Sequence, residues 1–90
     1  MGNPYDVEFT DVALKNLGRY PKADQRRILE RIDQLAADPL NMPNVKRLVD
    51  YDVAYRMRAG DYRVLFERDD AIRVVNVIDI LGRAEASWRR

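Results

Sequence analysis

Arg56, Arg58 and Arg63 lie within Tyr55-Arg56-Met57-Arg58-Ala59-Gly60-Asp61-Tyr62-Arg63-Val64-Leu65-Phe66, a stretch that reads as a β-hairpin. A guanidinium keeps its charge at physiological pH and offers paired N–H donors. The chemistry it supports is therefore anion binding and stabilisation of charge growing on a phosphate. Strand side chains alternate between faces, so Arg56 and Arg58 oppose Tyr55 and Met57, and Arg63 and Leu65 oppose Tyr62, Val64 and Phe66. A two-residue turn at Ala59-Gly60 would set Arg56 against Arg63, and one at Gly60-Asp61 would set Arg58 against Arg63. Both registers gather the three guanidiniums on one side, whereas a three-residue loop would separate them. Like charges across a sheet destabilise it unless an anion offsets them. Two readings follow: a site for an anionic partner, or solvated side chains paired with Asp52, Asp61 or Glu67.

The elements around the hairpin follow from periodicity. Tyr5 to Phe9 alternates apolar and acidic residues, the pattern of a strand with one buried face. Thr10 offers a helix N-cap with Asp11 in the first turn, and Val12, Ala13, Leu14 and Leu17 make a short amphipathic helix ending near Gly18 to Pro21. Pro21 opens a second helix running to about Ala37, with Ile28, Leu29, Ile32, Leu35 and Ala36 as its apolar stripe. Asp38-Pro39 ends that helix, and Leu40 to Asn44 is a loop. Val45 to Leu48 is either a short strand or an extended approach to the sheet. Strands are then expected at Val53 to Arg58, Tyr62 to Arg68 and Ile72 to Leu81, antiparallel because their connections are short. The last is apolar on both sides, which places it centrally, covered by helices on one face. Gly82 to Arg90 reads as a polar tail that can begin a helix. The expected fold is α+β: an N-terminal strand, a two-helix hairpin and a three-stranded antiparallel meander in one sheet packed on the helices.

Composition narrows the function classes. Ninety residues make a single domain, 1–90, with no room for a separate cofactor-binding unit. With neither cysteine nor histidine, the chain lacks a thiol nucleophile, the usual general base and the usual metal ligands, and no metal or cofactor is expected. No apolar run could span a bilayer, and Met1-Gly2-Asn3-Pro4 lacks a secretory pattern, so a cytoplasmic protein without membrane partners is expected. The net charge is only +1, so nucleic-acid binding would have to come from a local patch. Residues 46–90 hold 10 basic and 8 acidic side chains, against 6 and 7 in residues 1–45, which puts the excess in the half carrying the hairpin. Of the 16 basic residues, 13 are arginine, the residue suited to bidentate phosphate contacts, although codon bias would give the same count.

On these residues the chain resembles the RelE/ParE superfamily of bacterial type II toxins. The resemblance spans an N-terminal strand like Tyr5-Asp6-Val7-Glu8-Phe9, a helical pair, a lysine-leucine approach present as Lys46-Arg47-Leu48, and the hairpin, close to a recurring Tyr-Arg-x-Arg-x-Gly-Asp-Tyr-Arg-x-x-Tyr. It implies a toxin with a cognate antitoxin partner. Members on this scaffold either cut mRNA on the ribosome without a metal or inhibit DNA gyrase. An inactivated relative serving only as an antitoxin-binding module is a third alternative.

For the RNA-cutting branch, the resemblance assigns catalytic roles to Arg56, Arg58, Arg63 and Arg83. Lys46, Arg47 and Trp88 would hold or stack the RNA. Ribonuclease members often carry a tyrosine, and some a histidine, shortly after the final arginine. Here the tail reads Leu81-Gly82-Arg83-Ala84-Glu85-Ala86-Ser87-Trp88-Arg89-Arg90. Trp88 supplies either a stacking surface or an apolar anchor, but indole cannot exchange a proton as a phenol does. Glu85 is the candidate acid/base, with an exposed pair to Arg89 as the plainer alternative. The missing tyrosine and histidine fit a gyrase inhibitor, and the arginine face fits an endoribonuclease.

Overall fold

The computed structural model describes residues 4–49 and 53–82. Strand β1 (Asp6–Phe9) leads into helix α1 (Asp11–Gly18) and then helix α2 (Lys22–Ala37). Strands β2 (Val45–Arg47), β3 (Tyr55–Ala59), β4 (Tyr62–Asp69) and β5 (Val74–Leu81) complete a five-stranded sheet of order β1-β5-β4-β3-β2. The expected meander is β3-β4-β5, antiparallel throughout. It is extended by β2 at one edge and by β1, running parallel to β5, at the other. The α+β description therefore holds, and Val45–Arg47 is the strand alternative of the two readings.

Local chemistry explains most element ends. Thr10 caps α1, its Oγ1 accepting from the Ala13 amide at 3.1 Å while its hydroxyl donates to the Ile78 carbonyl at 2.6 Å. Helix α2 starts directly after Pro21, whose carbonyl accepts from the Gln25 amide at 2.9 Å. Three expectations needed correction. Leu29 lies off the buried stripe and is 42% exposed, because Ile28, Ile32, Leu35 and Ala36 already fill the contact with the sheet. Ile72 is 66% exposed and precedes its strand, since Arg73 takes a left-handed φ of 56° and β5 begins only at Val74. Strand β3 starts at Tyr55 rather than Val53.

The core is one cluster. Ala13 and Leu17 of α1 and Ile28, Ile32 and Leu35 of α2 meet Met57, Ala59, Val64, Phe66, Val75, Val77 and Ile80 of the sheet. The apolar run of β5 conceals an irregularity: Leu65 faces Asp79 while Phe66 faces Val77, so Ile78 is an extra residue. That bulge lets Val75, Val77 and Ile80 all point inward although their spacing is not uniformly two.

Among the described residues, β5 has no strand partner on its β1 side beyond Val77, and α1 takes over that edge. The Thr10 amide and hydroxyl bond the carbonyls of Val77 and Ile78, and the Tyr20 hydroxyl donates to the Ile80 carbonyl at 2.9 Å. Asp79 Oδ1 accepts from Asn16 Nδ2 and from the Ile80 amide, both at 2.7 Å. Edge backbone groups that would otherwise need a strand or water are thus satisfied by the Thr10 amide and by the side chains of Thr10, Tyr20 and Asp79. Among the described residues, no helix is long and apolar enough to cross a membrane.

Candidate functional site

The hairpin turn is Gly60-Asp61, flanked by the pair Ala59 and Tyr62. Gly60 has φ 63° and Asp61 is not in the positive region, the sign pattern of a type II′ turn, whose first central position favours glycine. Of the two registers open to the sequence, the structure selects the one that sets Arg58 against Arg63, with Arg56 against Leu65. Lys46 on β2 pairs with Arg56. Lys46, Arg56, Arg58, Arg63 and Asn44 consequently line one concavity of about 290 Å³ on the sheet face away from the helices.

The turn is anchored from behind. The Tyr62 hydroxyl donates to Asp24 Oδ2 at 2.6 Å, and its ring lies 4.6 Å from that of Tyr20. Because the Asp24 carboxylate accepts this bond, and because the phenol is partly desolvated, the Tyr62 pKa is pushed up to about 12. Tyr62 and Arg63 point to opposite faces, yet Arg63 Nη1 donates to the Tyr62 carbonyl at 3.2 Å, so the residue fixed by Asp24 also orients the guanidinium.

Lys46, Arg56, Arg58 and Arg63 line the concavity with Asn44 and with no carboxylate among the described residues. Arg68 pairs with Asp70 at 2.8 Å, away from the concavity. The Arg68–Asp70 contact rests on charge rather than on an aligned hydrogen bond from Nε, and the guanidinium also stacks 4.9 Å from the Tyr55 ring. Burial lowers the pKa of Arg63, the charges of Arg58 and Arg56 lower it further, and Asp61 works the other way. An arginine disfavoured in its charged form by like neighbours is a place where an incoming anion gains the most.

The sheet face is segregated by charge. Along β4 its outward residues run Arg63, Leu65, Glu67, Asp69, and Glu67 aligns with Asn76, which in turn aligns with Glu8 of β1. One end is basic and the other acidic, with Leu65 between.

The expected site residues divide accordingly. Lys46, Arg56, Arg58 and Arg63 are brought together. Arg47 is not: it pairs with Tyr55, whose ring stacks on the buried Phe66, so Arg47 leaves the strand on the opposite face from Lys46. Arg83, Glu85 and Trp88, like Asp52, lie outside the described residues. Sequence reasoning missed Asn44, which has φ 64° and accepts from the Arg58 amide at 3.0 Å. An asparagine beside proline in a loop, a residue that tolerates left-handed backbone, was the available signal. It also missed the Tyr62–Asp24 anchor, which has no local signature.

The five-stranded sheet, the two helices and the arginine-bearing hairpin are the features on which the chain resembles the RelE/ParE superfamily. A family model described as the ParE toxin of the type II toxin–antitoxin system parDE matches residues 7–87. The chain belongs to that family, and with it to the RelE/ParE superfamily. Among solved structures it is similar to the archaeal RelE–RelB complex from Pyrococcus horikoshii OT3, at 32% identity and TM-score 0.76, covering 89% of this chain and 96% of that one. It is also similar to the RelBE2 toxin–antitoxin complex from Mycobacterium tuberculosis, at 29% identity and TM-score 0.77, covering 89% and 99%. The intact Escherichia coli RelBE complex shares the fold at 21% identity and TM-score 0.70, covering 87% and 95%. No curated protein sequence is a significant match.

Proposed function

We propose that this toxin is a metal-independent, ribosome-dependent mRNA endoribonuclease, with Lys46, Arg56, Arg58 and Arg63 holding the RNA phosphates. The observation that carries the reading is the cation-lined concavity without a described carboxylate. In the reaction a ribose 2′ oxygen attacks the adjacent phosphorus in line and the bond from phosphorus to the 5′ oxygen breaks. The products are a 2′,3′-cyclic phosphate and a 5′-hydroxyl. A base removes the 2′ proton, and the departing 5′ oxygen takes one up. Negative charge grows on the non-bridging oxygens, where each preorganised guanidinium is worth about 3–4 kcal/mol. Arginines that stay charged are poor proton acceptors. The proposal therefore gives Arg83 a further phosphate contact, Glu85 the proton and Trp88 a stacked base, and leaves positioning of the message to the ribosome.

A gyrase-directed toxin is the second reading. It is favoured by the ParE description of the matching model and by a cationic face that offers no proton acceptor among its described lining residues. Induced expression followed by mapping of message 5′ ends separates the two. Codon-phased cuts support the first, and intact messages with trapped DNA breaks replace it with the second.

An antitoxin partner belongs to the same proposal, because the similar solved toxins are in complexes with RelB. An acidic and apolar antitoxin segment would satisfy the four cations in the resting state. Co-expression with the product of the adjacent reading frame tests it: a stable complex that abolishes killing is expected.

A further inference from the structure

The sheet face that carries the basic concavity also carries the opposite charge. Lys46 and Arg58 are exposed at one corner, and Glu8 and Glu67 are exposed toward the other. Val7 and Phe9 pack against the core, so Glu8, at the alternate position of β1, shares the outer face with Glu67. The strand register fixes where each charge sits. Arg56 is level with Leu65 at the middle of the face, and Arg58 and Arg63 form the next row toward the hairpin turn. Glu67 lies in a row with Asn76 and Glu8 on the other side of Leu65. Positive charge therefore sits toward β2 and the turn, and negative charge toward β1 and the far end of β4.

We infer that this face associates with the same face of a second copy of the chain. A surface divided in this way is complementary to itself when a two-fold axis lies between the facing sheets. The register selects the direction of that axis. Running along the strands, it leaves basic rows on basic rows. Running across them, it keeps Lys46, Arg56 and Arg58 over β2 and β3 of the copy, away from its Glu8. A diagonal axis passing beside Leu65 brings Arg56 to Glu67, and Arg58 with Arg63 to Glu8, in both directions, and the strands of the two sheets then cross near a right angle. Five strands about 4.8 Å apart and about 26 Å long present roughly 600 Å² a side, the low end for a specific interface, so the association is weak and reversible. The cations that meet the copy's carboxylates are those of the concavity, so association closes it. This self-recognition stands whether or not the concavity takes RNA.

Sedimentation velocity on the full chain, over a concentration series reaching about 1 mM, tests the pairing. At about 0.01 M ionic strength, where charges act over about 30 Å, the average mass should climb from monomer toward dimer. At about 1 M, where their reach is about 3 Å, it should return to monomer. Arg56→Glu and Glu67→Arg each set like charges together at both copies of one contact, and each should weaken self-association by about tenfold or more. Mixed in equal amounts, the two variants should recover the parental association. The new carboxylate of one then meets the new guanidinium of the other, and the native Arg56 and Glu67 pair at the second contact. Arg58→Glu with Glu8→Arg repeats the exchange elsewhere on the face, so a variant that fails to fold leaves the test standing. The same charge changes on the helix side, Arg26→Glu and Glu30→Arg, should leave association unaltered. A chain that stays monomeric at low ionic strength overturns the inference and assigns the basic end to a foreign acidic segment. Association that survives the single reversals, that the mixtures do not restore, or that the helix-side variants alter equally overturns it in favour of another surface or of net-charge attraction.

Discussion

At position 63 the guanidinium is held against two like charges and oriented by the carbonyl of its own neighbour, a geometry that favours the site over the stability of the fold. Arg63→Ala should therefore cost about 10²- to 10³-fold in activity, the usual loss of one well-placed donor. Its thermal midpoint should be equal to the parent's or higher, because the substitution removes repulsion with Arg58 and Arg56. Growth after induction and a melting curve measure both, and undiminished killing would take Arg63 out of the site. Tyr62 gives a pH signature. Its folded pKa of about 12 lies above its ordinary value of 10.0, so it contributes stability that is fully present below pH 10 and is lost as pH rises toward 12. Urea unfolding across that range should show the loss, and Tyr62→Phe should flatten it at a cost of about 1–2 kcal/mol near neutrality.

Among the elements, α1 has two duties that meet in Thr10. That residue starts the helix through the Ala13 amide and closes the β5 edge through the Ile78 carbonyl. Thr10→Ala should lower the unfolding free energy by about 2 kcal/mol, more than a simple cap, because a backbone carbonyl loses its donor as well. Denaturant titration checks this, and a loss of only a few tenths would show that water replaces the edge bond. The same region shows where sequence legibility stops. The cap, the first-turn Asp11 and the helix limits were readable because they depend on residues within one turn of each other. The bulge at Ile78 was not, since Val74 to Leu81 is apolar enough to satisfy several registers equally. Leu29 misled for the complementary reason: a helical stripe records what is available for burial, and the width of the sheet decides how much of it is covered.

For the molecule as a whole, the charge-segregated face sets how nucleic acid would approach. Four cations at one end predict single-stranded RNA binding with a log affinity against log salt slope of about −3, from roughly 0.7 per neutralised phosphate. Lys46→Ala should reduce that slope by about 0.7, whereas Arg47→Ala should leave it unchanged, since its side chain leaves from the other face. Fluorescence titrations over a salt series decide between them, and equal effects of the two substitutions would disprove the face assignment. By itself the sequence determined the two helices and the strands of the meander to within a residue or two, because alternation and helical period are written in near neighbours, and its hairpin motif carried the resemblance to the superfamily; the gathering of Arg56, Arg58 and Arg63 followed from it only for a two-residue turn. Only the tertiary structure decided the Arg58–Arg63 register, the parallel place of β1, the inclusion of Lys46 and Asn44 without Arg47, and the tie of Tyr62 to Asp24. Those depend on which distant surfaces pack together, and a single chain of residues does not carry that information locally.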